Sequence, residues 1–223
     1  MHTHTKEFLE SLTPKLALDV LKEGNKRFIS NLKINRNLLQ QVNDTANGQH
    51  PFAVVLSCMD SRTSVELIFD QGLGEIFSVR VAGNVVNDDI LGSMEYACKI
   101  TGSKLIVVLG HSKCGAIKGA CDGVEMGHLT ALLEKIHPAI ETTNGSEKEF
   151  LNMAFAEKVA YANVHNSIEE ILNRSRIISE LFEEGKIGIV GGMYSVDNGS
   201  VHFIKELFKE AVSEKTLQES ISR

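Results

Sequence analysis

The sequence has no tryptophan, 3 prolines and 4 cysteines in 223 residues. So few prolines, beside 43% hydrophobic residues, exclude a proline-rich or disordered chain. Four cysteines in a chain this long do not make a disulfide scaffold. In a reducing compartment, free cysteines stand for metal ligands or nucleophiles. Positive charge is not in excess: 23 Lys+Arg face 29 Asp+Glu, a formal net charge of -6. Nothing therefore draws the chain to nucleic acid or to an anionic membrane surface. No apolar run reaches about 18 residues, so no membrane-spanning helix is expected. The segment Met1–Glu7 lacks the apolar centre of a secretion signal, and a cytoplasmic location is the expectation.

What is present is alternation of strand-like and helix-like patterns. The apolar runs 51–58, 76–79, 104–110 and 187–191 read as buried parallel strands, and Val201–Phe203 as a fifth. A helix is expected from Pro14 to about Ile29, capped by Thr13. Another is expected from a cap at Asp88 or Asp89 to a stop at Gly102. Residues 115–122, 128–141 and about 148–172 look helical, Glu180–Gly185 closes another helix, and 203–214 read as a last amphipathic one. Residues 1–12 read as a loose arm, and 31–48 as a connector with one helical turn. The whole is expected to be one α/β domain over 1–223, an arm and connector (1–48) followed by a core (49–215). Its sheet should be mostly parallel with helices on both faces, which puts a site at the carboxyl ends of the strands.

Two strands end in residues that bind metals. The first runs into Ser57-Cys58-Met59-Asp60-Ser61-Arg62, the third into Gly110-His111-Ser112-Lys113-Cys114-Gly115. If these strands are neighbours, Cys58, His111 and Cys114 converge. Two thiolates and an imidazole suit Zn²⁺, and three protein ligands leave a position open, the mark of a catalytic ion. Asp60 can pair with Arg62 in a bidentate bond, leaving zinc with a water whose pKa falls to roughly 7. Asp60 can also swing onto the ion and close the site. From the residues alone three readings stand: a catalytic zinc, a structural zinc, or small buried thiols with no metal.

Together, Cys58-x-Asp60-Ser61-Arg62 and His111-x-x-Cys114-Gly115 resemble the motifs of the β-class carbonic anhydrases. Arg80-Val-Ala-Gly83-Asn84 between them is similar to a segment of that family. The resemblance implies a four-stranded parallel core with an antiparallel edge strand. It also implies an N-terminal helical arm lying across a partner subunit, and a homodimer or dimer-based oligomer. One Zn²⁺ per chain would sit on Cys58, His111 and Cys114, and the reaction would be reversible hydration of CO₂ to bicarbonate through zinc-bound hydroxide. Asp60 and Arg62 would be catalytic. Gln49 would donate a hydrogen bond to substrate, Gly115 would face the site, and Phe77, Ala82 and Tyr96 would line an apolar pocket completed across the dimer. One branch of the family turns the aspartate onto zinc with a tryptophan-containing bicarbonate pocket. This chain has Gln49 and no tryptophan, so the open state is expected.

Other readings compete. The same zinc chemistry suits other heterocumulenes such as CS₂ or COS, and a zinc-binding regulatory module could keep the fold without turnover. A cysteine-nucleophile hydrolase has no supporting Cys-x-x-Cys or Ser/His/Asp order. Cys98 and Cys121 read as structural, and His128, His137 and His165 as surface or packing residues. Gly72-Leu-Gly74 reads as a turn rather than a phosphate loop, because no Lys-Ser/Thr follows. Lys113 reads as a solvated lysine, and His2 and His4 as part of a disordered end.

Overall fold

A computed structural model describes residues 3–144 and 154–210. The strands are β1 (Ala53–Ser57), β2 (Ile76–Arg80), β3 (Leu105–His111), β4 (Gly188–Tyr194) and β5 (Val201–Leu207). They form one sheet in the order β2-β1-β3-β4-β5. The first four are parallel, and β5 closes the edge antiparallel to β4 after a turn over 195–200. Every residue of β1, β3 and β4 is buried, which is why these strands appear in the sequence as unbroken apolar runs.

Helices cover both faces. On one face lie α1 (Lys6–Ser11), α2 (Pro14–Ile29) and the short α4 (Val65–Ile68), packed on Ala53, Val55, Val107 and Leu109. On the other lie α5 (Asp88–Glu95), α6 (Gly115–Cys121), α7 (Gly127–Leu133), α8 (His137–Asn144), α9 (Phe155–Arg174) and α10 (Arg176–Glu183). These pack on Val54, Leu56, Ile106, Val108 and Ile189. Between the arm and the sheet, α3 (Leu38–Thr45) fills the connector. Helix α9 lies close to β3 and β4, where a Cβ on Gly110 or Gly191 would come within 2.7 Å of Val164.

Several expectations need correction. Residues 6–11 are helical rather than loose, because Thr5 caps Phe8 N–H and Leu9 and Leu12 reach the core. The connector holds two helical turns, not one. Asn87, not Asp88 or Asp89, caps α5, accepting a hydrogen bond from Ile90 N–H at 2.9 Å. Residues 128–141 divide into α7 and α8 with a 3₁₀ turn between them. The reading of 203–214 as a helix is wrong for 203–207, which belong to β5; residues 211–214 lie outside the described residues. Phe203, Leu207 and Phe208 mimic a helical stripe, but pairing with β4 decides the conformation. The expected start of the long helix at 148 also lies outside the described residues, and α9 begins at Phe155.

At the rim where the parallel strands begin, the chain builds a buried ion cluster. Asp70 accepts from Arg27 Nε at 2.5 Å, Arg36 Nη1 at 2.6 Å and Ile34 N–H at 3.2 Å. Arg36 also faces Glu75 at 3.6 Å, and His4 approaches Glu75 at 3.9 Å. Burial pushes the Asp70 carboxyl up, but the two guanidinium groups and the Ile34 N–H outweigh it and hold it below its ordinary value.

Candidate metal centre

The centre forms at the opposite rim. Cys58 follows the last residue of β1, His111 is the last residue of β3, and Cys114 is the cap residue of α6. Because β1 and β3 are neighbours, with Ser57 opposite Leu109, the three side chains meet. All three are buried, and their ligand atoms lie within 4.8 Å of one another. The sulfurs of Cys58 and Cys114 are 3.9 Å apart. Tetrahedral zinc with bonds of about 2.3 Å to sulfur would place them about 3.8 Å apart.

His111 Nδ1 lies 2.9 Å from the carbonyl oxygen of Ser112. A carbonyl only accepts, so this nitrogen carries the proton and Nε2 presents its lone pair. Nε2 is buried and has no hydrogen-bond partner in the protein. A buried polar atom left so costs about 1–3 kcal/mol unless a ligand meets it. Two sulfurs and one imidazole lone pair, converging at this spacing, fit a divalent zinc ion. Among the described residues, no fourth His, Cys, Asp or Glu joins the cluster.

Hydrogen bonds prepare the Cys58 sulfur. The Cys114 thiol beside it is the largest influence holding Cys58 below its ordinary value; burial opposes this, and the N–H groups of Asp60 and Gly83 add to it. Cys114 is pushed up in return, by sharing that proton with Cys58 and by burial. Asp60 N–H lies 3.4 Å and Gly83 N–H 3.3 Å from the Cys58 sulfur. Gly83 sits in a 3₁₀ turn, Ala82–Asn84, that follows β2.

Asp60 is turned onto Arg62. Arg62 Nε donates to Oδ1 at 2.9 Å and Nη2 to Oδ2 at 2.8 Å, and the Arg62 N–H adds a bond of 3.0 Å. The guanidinium holds the Asp60 carboxyl well below the usual carboxylate range. The loop is tied down from behind. Thr63 Oγ1 donates to Cys58 O at 2.8 Å, and Arg80 donates to Cys58 O at 3.2 Å and to Asp60 O at 2.6 Å.

Of the residues singled out in the sequence, Ala82 and Gly115 lie beside the cluster, next to Gly83 and Cys114 respectively. A single chain does not bring Gln49, Phe77 or Tyr96 there. Gln49 is exposed and sits against the Gly74 turn, before β1 begins. Phe77 packs edge-on against Tyr96, ring centres 6.3 Å apart, on the outer strand β2, and Tyr96 is 55% exposed. Cys98 is core, its thiol pushed up to about 12 by burial. Lys113 adopts φ +56, and its side chain is exposed to solvent, as the sequence reading expects, in a surface pair with Asp197. Arg80 and Thr63 had no assigned role in the sequence, although Arg80 opens the segment that carries part of the resemblance. Nothing in the sequence pointed to the residues of α9 behind Gly83.

The fold and the site define one class, and comparison with known proteins gives the same answer. The carbonic anhydrase family model matches residues 53–201. Carbonic anhydrase 2 of Mycobacterium tuberculosis is 35% identical over 199 residues, covering 86% of this chain and 93% of that protein. The carbonic anhydrase of Mycolicibacterium smegmatis is 32% identical over 200 residues, covering 87% and 95%. Among solved structures, a β-carbonic anhydrase of Sordaria macrospora, described as tetrameric, superposes with a TM-score of 0.65 at 24% identity, covering 85% and 94%. The chain belongs to the carbonic anhydrase family, and its fold is that of the β class.

Proposed function

We propose that the chain catalyses the reversible hydration of CO₂ to bicarbonate and a proton, with zinc held by Cys58, His111 and Cys114. One observation carries this reading: two cysteine sulfurs and one imidazole nitrogen within 4.8 Å of one another, with no fourth His, Cys, Asp or Glu joining them among the described residues. When bound there, zinc supplies the Lewis acidity that makes water nucleophilic near neutral pH.

The protein's own groups do the rest. Cys58 and Cys114 give up their protons to ligate, and His111 binds through Nε2 because Ser112 holds the Nδ1 proton. Arg62 keeps Asp60 ionised and fixes its two oxygens. An ionised carboxylate only accepts, so Asp60 takes a hydrogen bond from the attacking water and aims its lone pair at carbon. Arg80 and Thr63 keep the Cys58–Asp60 backbone in place while this happens. Gly115 adds no side chain that would crowd a small substrate.

In this reading Gln49, Phe77 and Tyr96 serve the pocket of a neighbouring protomer, with Ala82 completing its apolar wall. Two features support that arrangement: Phe77 on the outer strand β2 and Tyr96 just after α5 present partly exposed rings packed on each other, and the Sordaria macrospora relative is described as tetrameric. The test is stopped-flow CO₂ hydration by zinc-loaded protein, with Cys58→Ser and Asp60→Asn alongside. We expect about one zinc per chain in the wild type and loss of most activity in both variants. Wild-type turnover that survives complete chelation of the metal overturns the assignment.

A further inference from the structure

We propose that Asn163, on α9, is a positioning residue for the metal centre, holding the Gly83 turn so that Gly83 N–H stays on the Cys58 sulfur. The inference rests on the metal-centre reading above.

The turn after β2 is unusual. Gly83 has φ +70 and Asn84 φ +44, two successive residues in the left-handed region. A turn of this shape cannot place its carbonyls in the sheet ladder, and both are met by α9 instead. Asn163 Nδ2 donates to Gly83 O at 2.8 Å, and Ser167 Oγ donates to Asn84 O at 3.3 Å. These two residues are one helical turn apart and project from the same face of α9. Both are buried, at 3% and 4% exposure.

The other side of the turn is equally confined. A Cβ on Gly83 would stand 3.0 Å from Ile136 Cδ1 and 3.4 Å from Ala116 Cβ. The turn is therefore held by α9 and packed against Ile136 and Ala116. Without the Asn163 amide the Gly83 carbonyl loses its partner, and the turn loses the bond that helps keep Gly83 N–H 3.3 Å from the Cys58 sulfur. A buried asparagine is an expensive way to hold a helix against a sheet, since Asn163 has apolar neighbours in Val159, Ala160 and Val164. Its cost is understandable if the bond to Gly83 O serves the sulfur beyond it. An N–H on a thiolate withdraws charge from it and sets how strongly it donates to a metal.

The experiment uses full-length protein with cobalt in place of zinc. In Asn163→Ala, the sulfur-to-cobalt charge-transfer band should move to longer wavelength, because a thiolate without its N–H gives up charge more easily. Zinc affinity from chelator competition should fall about tenfold. Asn163→Leu keeps the branching and drops the donor, and it should show the same shift should the alanine variant fail to fold. Val159→Ala, a buried apolar change one helical turn from Asn163 that removes no hydrogen bond to the turn, should leave the band in place. In cadmium-substituted wild-type protein, the Gly83 amide proton should show scalar coupling to the metal through the Cys58 sulfur. An unshifted band in the Asn163 variants, an equal shift in Val159→Ala, or no Gly83 coupling overturns the proposal. A wild-type protein with no sulfur-to-cobalt band overturns the metal centre itself, and the proposal with it.

Discussion

Ser112 offers His111 nothing but a carbonyl, so the nearer ring nitrogen must hold a proton and the farther one is left, buried, for a metal. His111→Ala should therefore abolish zinc retention, with metal analysis after dialysis falling from about one ion per chain to a small fraction. Asp60→Asn should do something different. The amide keeps the shape of the carboxylate but loses its charge and half its acceptors. Zinc content should stay at the wild-type level while kcat for CO₂ hydration drops about 10²–10⁴-fold, measured by stopped flow. Cys58, His111 and Cys114 were legible in the sequence because each lies at or just after the end of an apolar run, where a parallel sheet places its site. Asn163 was not legible, because its partner Gly83 lies 80 residues away and only the packing of α9 joins them.

Strand β1 shows what made the elements readable. All five of its residues are buried between two helical layers, so its pattern is continuous and its identity plain. Leu56 is fully buried there, and Leu56→Ala should lower stability by about 2–5 kcal/mol in urea unfolding, with the slope unchanged. Strand β5 shows the opposite. It lies at the edge with a mixed burial pattern, so neither a period of two nor one of 3.6 dominates, and its partner β4 supplies the missing information. Helix α1 was hidden for another reason: six residues give too short a pattern, and its stability comes from the Thr5 cap and two leucines in the core.

At the scale of the whole molecule, the Asp60–Arg62 pair and the Asp70 ion cluster occupy opposite rims of one sheet. Asp70, 3% exposed between Arg27 and Arg36, ties α2 and the connector to the loop that leads into β2. Its folded pKa lies below its unfolded one, so its contribution is present above the unfolded value of about 4 and is lost as pH falls below it. Asp70→Asn should cost about 3–5 kcal/mol at pH 7, and the gap to wild type should narrow as pH drops through about 4. Chemical unfolding at several pH values measures both. The proposed subunit contact has its own check: Tyr96→Arg should lower the sedimentation coefficient toward that of a single chain and reduce activity with it.

The reversal between β4 and β5 has a practical side. β5 leaves the metal's rim at Val201 and travels back, so Leu207 pairs with Ile189 near the start of β4. His4, beside Glu75, also lies at that far rim. Both ends of the described chain thus emerge on the side away from the metal ligands. A tether or reporter joined directly at residue 3 or residue 210 would therefore start from the rim away from the ligands.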